Sequence, residues 1–196
     1  MGAAILAGGQ ASRYGGIPKG RLEIAPGLTI IENELRQLRD AGLSEIVIVA
    51  NDPQPYLPLG APIIPDLRTG CGPLGGLEAA LTYFGARAEA ILCLPCDLPG
   101  ITAGEIRQLR EAFVNSGARV AVCLSAPDRM EPLCAVVHRD LLPAITAALE
   151  AGAGGAGRLW RQLGALEVPF ADPAPFCNVN TPADLAQWLT SHSGAS

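Results

Sequence analysis

Residues 3–19 read AAILAGGQASRYGGIPK, and this stretch decides the fold. Ala3 to Ala7 is a short apolar run that reads as a first strand. The loop after it carries Gly8, Gly9, Gly15 and Gly16, which let backbone N–H groups approach an anion closely, while Arg13 and Lys19 bring positive charge. The spacing is neither the GxGxxG of a dinucleotide fold nor a P-loop, because no Ser or Thr follows Lys19. In an open parallel sheet, ligands bind beyond the carboxyl ends of the strands, so Gly8 to Lys19 reads as a phosphate-holding loop. The plain alternative is a surface loop that merely contains glycines.

Working outward, short apolar runs alternate with helical patterns, the sequence form of an α/β fold with helices on both faces of a parallel sheet. A helix is expected from about Thr29 to Gly42, a second strand at Glu45 to Ala50 and a short third at Ala61 to Pro65. Pro73 to Phe84 reads as a helix opened by proline, and Ala90 to Leu94 as a fully buried strand. Thr102 and Glu105 make a capping box for a helix to about Asn115, ended by Gly117. Strands at Ala118 to Leu124 and Leu133 to His138 follow, then a helix from Asp140 to Ala151 and a flexible run from Ala151 to Gly157. A short helix at Arg158 to Leu163, a strand at Leu166 to Phe170 and a helix capped by Thr181 with Pro182 at its first position complete the order. Residues 1–191 are expected to form a single domain, with 192–196 as a disordered tail.

Composition narrows the function. The chain has 196 residues, 49% of them hydrophobic, and 14 Lys and Arg against 19 Asp and Glu give a net charge of −5. With no basic run, duplex nucleic acid is an unsuitable partner. The opening MGAAILAGG has no basic start, and its apolar part falls short of the roughly 20 residues of a membrane span, so no membrane association is expected. Six cysteines in such a chain read as reduced thiols of a cytoplasmic protein. Cys93 and Cys96 form a CxxC, but on a strand that spacing sends the two side chains to opposite faces, which suits neither a redox motif nor a zinc site.

Three further places after strands hold polar residues. Asn51 follows EIVIVA and can hydrogen-bond a base or sugar, or serve as a turn residue. Asp66 follows PIIP, and the next segment, Gly70 to Gly76, leaves backbone donors free at a helix N-terminus. Asp97 ends the run AILCLPCD. A carboxylate beside a buried strand is costly to leave unpaired, so it implies a metal ion or a strong hydrogen-bond donor; metal is the favoured partner, and Mg2+ commonly takes one or two carboxylates plus substrate phosphates. His138 ends an apolar strand and reads as structural, and Trp160 and Trp188 as core residues.

Taken together, LAGGxxxRxGG with a following Lys, the aspartate after ILCLPCD, the GPLGG segment and the late FCNVNTPADL resemble the MobA-type molybdenum cofactor guanylyltransferases, within the Rossmann-like nucleotidyltransferases. The likeness spans Leu6 to Leu185. It implies a mostly parallel central sheet and transfer of GMP from GTP to molybdopterin with loss of pyrophosphate, assisted by Mg2+. It further implies that Leu6, Ala7, Gly8 and Gly9 meet the nucleotide, that Lys19 and Arg13 bind its phosphates, and that Asn51 and Asp66 touch base and ribose. Asp97 matches the metal ligand, and Asn178 and Asn180 fall in the late motif that closes the site, where they meet either the metal or the pterin substrate on the acceptor side. Transient contact with molybdoenzymes or cofactor-handling proteins goes with that role.

The chain departs from the pattern at Pro18, where many members carry Asp, and at Tyr14, where Met is more usual. EPLCAVV, from Glu131, stands where the family has a QPL-type segment on the acceptor side. The rival readings are transfer from CTP or to another phosphorylated acceptor, and a GTP-binding cofactor carrier without turnover. A dinucleotide-dependent dehydrogenase lacks its fingerprint here.

Overall fold

The computed structural model describes residues 1–8, 17–152 and 155–192. Gly9 and Arg13, and the tail from Ser193, lie outside the described residues. The chain opens with β1 (Gly2–Leu6), and a hairpin of β2 (Glu23–Ala25) and β3 (Leu28–Thr29) leads into α1 (Ile30–Asp40). Thr29 caps α1 in a capping box, its N–H donating to Glu32 Oε2 at 2.8 Å. Then come β4 (Ile46–Val49), β5 (Ile63–Ile64), α2 (Gly72–Phe84), β6 (Ala90–Pro95), α3 (Ala103–Ser116), β7 (Val120–Ala126) and β8 (Arg129–His138). The chain continues with α4 (Leu142–Glu150), α5 (Ala156–Gln162), β9 (Leu166–Pro169) and α6 (Pro182–His192).

Seven strands form one sheet in the order β5-β4-β1-β6-β8-β7-β9. Within it β8 runs antiparallel to both neighbours, and the remaining pairs are parallel. Each face carries its own apolar layer. Ile5, Ile48, Leu92 and Leu94 pack under α1 and α3 through Ile31, Leu35, Leu38, Ile106 and Leu109. On the other face Leu6, Val47, Val49 and Ile91 pack under α2, α4 and α5 through Leu77, Leu81, Ile145 and Trp160. A third cluster joins Leu22, Ile24 and Ile30 to Val179, with Leu185 and Trp188 of α6 against it.

The expected elements are present, with physical reasons for the shifts. The β2–β3 hairpin lies where the sequence reads as continuous loop, because strands of three and two residues are below what periodicity detects. The strand expected from Leu133 starts at Arg129, since Pro127 and Asp128 make a two-residue turn that folds β8 straight back on β7. The third strand shrinks to Ile63–Ile64 between Pro62 and Pro65, neither of which has an N–H to donate. The helix expected from Asp140 begins at Leu142, after a 3-10 turn at Arg139–Leu141, with Pro143 in its first turn. Cys93 and Cys96 enter the two opposite apolar layers, as their strand spacing requires, and all six cysteines are free.

Candidate functional site

Strand β1 has β4 on one side and β6 on the other, so the chain leaves β1 in one direction and returns on its far side. That reversal opens a crevice at the carboxyl ends of β1 and β6, the place where open α/β sheets bind ligands. The glycine-rich loop follows β1, and Asp97 follows β6 on the adjacent strand. The Leu6 carbonyl accepts from Cys96 N–H at 3.2 Å and Ala7 N–H donates to the Val49 carbonyl at 2.9 Å, which anchors the root of the loop to both neighbouring strands.

The far end of the loop returns as a 3-10 turn, Lys19–Arg21. Gly20 permits its close approach: a Cβ there would stand 3.3 Å from Ile31 Cβ, 3.5 Å from Cys96 Cβ and 3.6 Å from Tyr56 Cε1. The turn thus lies on the strand-end residue Cys96, and Lys19 Nζ reaches Asp97 Oδ2 at 3.3 Å and donates to Asn180 Oδ1 at 2.5 Å. The side chain of Asp97 is only 17% exposed and that of Lys19 28%, so the pair sits at the mouth of the crevice, half out of water. Burial raises the Asp97 pKa from its ordinary value, and the Lys19 ammonium opposes the shift.

Asn180 is delivered by the late segment. Val179 N–H donates to the Asp97 carbonyl at 2.9 Å, which ties FCNVNTP to the loop it faces. The Asp184 carboxylate accepts from Asn180 N–H at 2.9 Å and Thr181 N–H at 2.8 Å, while Thr181 Oγ1 accepts from Asp184 N–H at 3.2 Å. This reciprocal cap fixes both the start of α6 and the direction of Asn180. Asn178 is half-buried two residues earlier.

Asn51 and Asp66 form a second polar station on the β4–β5 side. Asn51 Nδ2 donates to Asp66 Oδ2 at 2.8 Å and Asp66 N–H donates to Asn51 Oδ1 at 3.0 Å. A Cβ on Gly8 would lie 3.8 Å from Asp66 Oδ2, so this pair borders the start of the glycine-rich loop. Helix α2 approaches from below: a Cβ on Gly76 would meet Leu6 Cδ2 at 3.2 Å and Asp66 Oδ1 at 3.3 Å. Arg68 staples the following segment to two helices, bonding Glu78 Oε2 and Glu150 Oε1, each at 3.1 Å. The groove beside it, about 610 Å³, lies between Cys71–Leu74 and Pro132–Leu133, so the EPL segment and GPLGG share a wall.

Of the expected residues, the structure brings Lys19, Asp97 and Asn180 into direct contact and pairs Asn51 with Asp66 beside Gly8. His138 stands at the other end of the sheet, opposite Ala90 at the start of β6, where its Nδ1 accepts from Asp140 N–H. Sequence reasoning missed Glu34, which is wholly buried with Oε1 accepting from Leu98 N–H at 3.3 Å and Oε2 without a partner among the described residues. Burial pushes its pKa well up. The signal was present: Glu34 falls between Ile31 and Leu38, inside the apolar stripe of α1, where a carboxylate does not belong by packing alone.

The oxygen donors suit a hard divalent cation. Among the described residues no three His, Cys, Asp or Glu side chains gather at one point. A single half-buried carboxylate with a neighbouring carboxamide oxygen is the kind of donor set Mg2+ uses when substrate phosphates complete its shell. No helix among the described residues is long and apolar enough to cross a membrane.

Residues 3–167 match the family model of the MobA-like NTP transferase domain. The chain is 34% identical to the molybdenum cofactor guanylyltransferase of Photobacterium profundum, over 94% of this chain and 93% of that protein. It is equally 34% identical to the enzyme of the same name from Pseudomonas fluorescens, over 98% and 93%. Its fold resembles the crystal structure of molybdopterin-guanine dinucleotide biosynthesis protein A from Archaeoglobus fulgidus, with TM-score 0.80 and 24% identity over 98% of this chain and 99% of that one. On the family model and these identities, the chain belongs to the MobA-like NTP transferases.

Proposed function

We propose that this protein transfers GMP from GTP to the terminal phosphate of molybdopterin, releasing pyrophosphate. The observation that carries the reading is the meeting of Lys19 with Asp97 and Asn180, residues 78 and 161 positions away in sequence, at the crevice where β1 and β6 end. A cation and a carboxylate set beside a glycine-rich loop are the parts phosphoryl transfer needs.

In the reaction an oxygen of the acceptor phosphate attacks the α-phosphorus of GTP. The new P–O bond forms as the bond to the β-phosphate breaks, and the electron pair leaves on pyrophosphate. A phosphate monoester is largely ionised near neutral pH, its second pKa being about 6, so the site needs no strong general base. That agrees with the distance of His138 from the crevice. Lys19 and Arg13 neutralise charge on the phosphates, with Gly8 and Gly9 offering backbone N–H groups and Leu6 and Ala7 forming the wall of the nucleotide site. Asn51 and Asp66 hold base and ribose. Asn180, with Asn178 beside it, faces the acceptor. Asp97 is the residue that would hold Mg2+, which when bound would supply further neutralisation of phosphate charge.

Within this reading residues 1–191 work as one nucleotidyltransferase domain, and the protein acts in the cytoplasm in transient contact with molybdoenzymes or cofactor-handling proteins. The test is pyrophosphate release from GTP, CTP and ATP in parallel, each with molybdopterin and Mg2+. The reading expects release with GTP together with formation of the guanine dinucleotide cofactor. Faster release with CTP would replace the donor, and stabilisation by GTP with no pyrophosphate would mark a carrier.

A further inference from the structure

Between Asp97 and α3 the chain runs through Leu98, Pro99, Gly100, Ile101 and Thr102 as a loop without regular strand or helix pairing. Its own backbone offers one turn bond, from Ile101 N–H to the Leu98 carbonyl at 3.3 Å, yet it follows directly on the carboxylate on which the proposed chemistry depends. Helix α1 supplies what is missing. Glu34 Oε1 accepts from Leu98 N–H at 3.3 Å, Asn33 Nδ2 donates to the Pro99 carbonyl at 3.1 Å, and Gln37 Oε1 accepts from Ala103 N–H at 2.9 Å. Three side chains of one helix thus take three backbone groups, two near the start of the loop and one at the first residue of α3.

The seam is dry where it matters. Glu34 is 0% exposed and Asn33 6%, and the adjoining Leu98 is 1% exposed. Asn33 is itself held, its Oδ1 accepting from Arg36 Nη2 at 2.8 Å. A carboxyl group buried in an apolar layer, with one oxygen unpaired among the described residues, costs stability that a leucine in the same place would not. Packing therefore does not account for Glu34, whereas the hold on Leu98 does.

We propose that Glu34, with Asn33 and Gln37, is a positioning residue for nucleotidyl transfer: the seam fixes the backbone after Asp97 and so aims the Asp97 carboxylate at Lys19 and the metal. The inference rests on the role given to Asp97 above. A displacement of the carboxylate by a fraction of an ångström weakens metal binding and slows the chemical step while leaving the base and ribose contacts of GTP in place.

The experiment compares Glu34→Leu, Glu34→Gln, Asn33→Ala and Asp97→Ala with the wild-type enzyme, measuring kcat, KM for GTP, thermal stability and Mn2+ binding to the enzyme without substrates by electron paramagnetic resonance. Glu34→Leu is expected to lower kcat about tenfold, the worth of one buried hydrogen bond, and to weaken Mn2+ binding several-fold, with KM for GTP within about twofold. Glu34→Gln, whose carboxamide oxygen can accept from the same Leu98 N–H, is expected to recover most of kcat and of Mn2+ binding. Asn33→Ala should fall between the two, and it carries the test should Glu34→Leu fail to fold. A folded Glu34→Leu or Asn33→Ala with unchanged kcat and Mn2+ binding would overturn the proposal, as would Glu34→Gln losing as much as Glu34→Leu. If Asp97→Ala keeps its activity, the site assignment fails instead, so the two failures are distinguishable.

Discussion

Replacing Gly76 by alanine probes a close contact between the scaffold and the nucleotide site. Gly76 lies inside α2, where alanine is intrinsically better than glycine by about 1 kcal/mol, so propensity alone predicts a more stable protein. The surroundings argue the other way. The added Cβ would stand 3.2 Å from Leu6 Cδ2, 3.3 Å from Asp66 Oδ1 and 3.5 Å from Val49 Cγ1, and all but the carboxylate belong to the packed ends of β1 and β4. Overpacking of this kind costs about 1–3 kcal/mol, so the net change is a loss of about 0–2 kcal/mol. For a chain of this size that lowers Tm by up to about 8 °C. The easier neighbour to move is Asp66, whose displacement strains its two bonds to Asn51. KM for GTP should therefore rise about three- to tenfold while kcat changes less, the pattern of weakened ground-state binding. Differential scanning fluorimetry and initial-rate kinetics on the same preparation decide the matter. A variant with higher Tm and unchanged KM would refute both the close contact and the place of Asp66 in the nucleotide site.

Other consequences can be tested beside it. Lys19→Ala should cut kcat about 100-fold or more, since it removes preorganised charge from the reacting phosphates, and Lys19→Arg should not restore it because the guanidinium cannot reproduce a point contact on both Asp97 and Asn180. Hydrogen bonds from Thr29, side chain first and then backbone, hold the Glu32 pKa below its ordinary 4.5, with Arg21 helping. Its contribution to stability is therefore complete above pH 4.5 and is lost as pH falls through the lowered folded value; urea unfolding as a function of pH should show a shallower acid limb for Glu32→Gln than for wild type. Trp160 is fully buried and its Nε1 donates to the Pro132 carbonyl at 2.7 Å, so Trp160→Phe should cost about 1–3 kcal/mol in chemical denaturation through the orphaned carbonyl and the lost volume.

Much of the fold was legible because its signals are local. The capping box at Thr102, the proline that opens α2 and the Thr181–Pro182 start of α6 all act within one helical turn. Asp97 was legible for a related reason, since a carboxylate directly after a buried strand contradicts its surroundings. The β2–β3 hairpin was not, as its strands are too short to show a period, and neither was the early start of β8, which depends on pairing with β7. Glu34 breaks the apolar stripe of α1, but Asn33 and Gln37 look like the polar face of an ordinary helix until the loop 66 residues later is laid against them. Contacts of that range belong to topology, and no window of sequence contains both partners.

The most direct measurement of the account is guanylyl transfer by purified wild-type and Asp97→Ala protein, given GTP, molybdopterin and Mg2+, with pyrophosphate and the guanine dinucleotide cofactor quantified together. The account predicts the two products in equal amounts from the wild type and a loss of at least about 100-fold in Asp97→Ala, with its thermal unfolding still cooperative. A folded Asp97→Ala enzyme that turns over at the wild-type rate would contradict it.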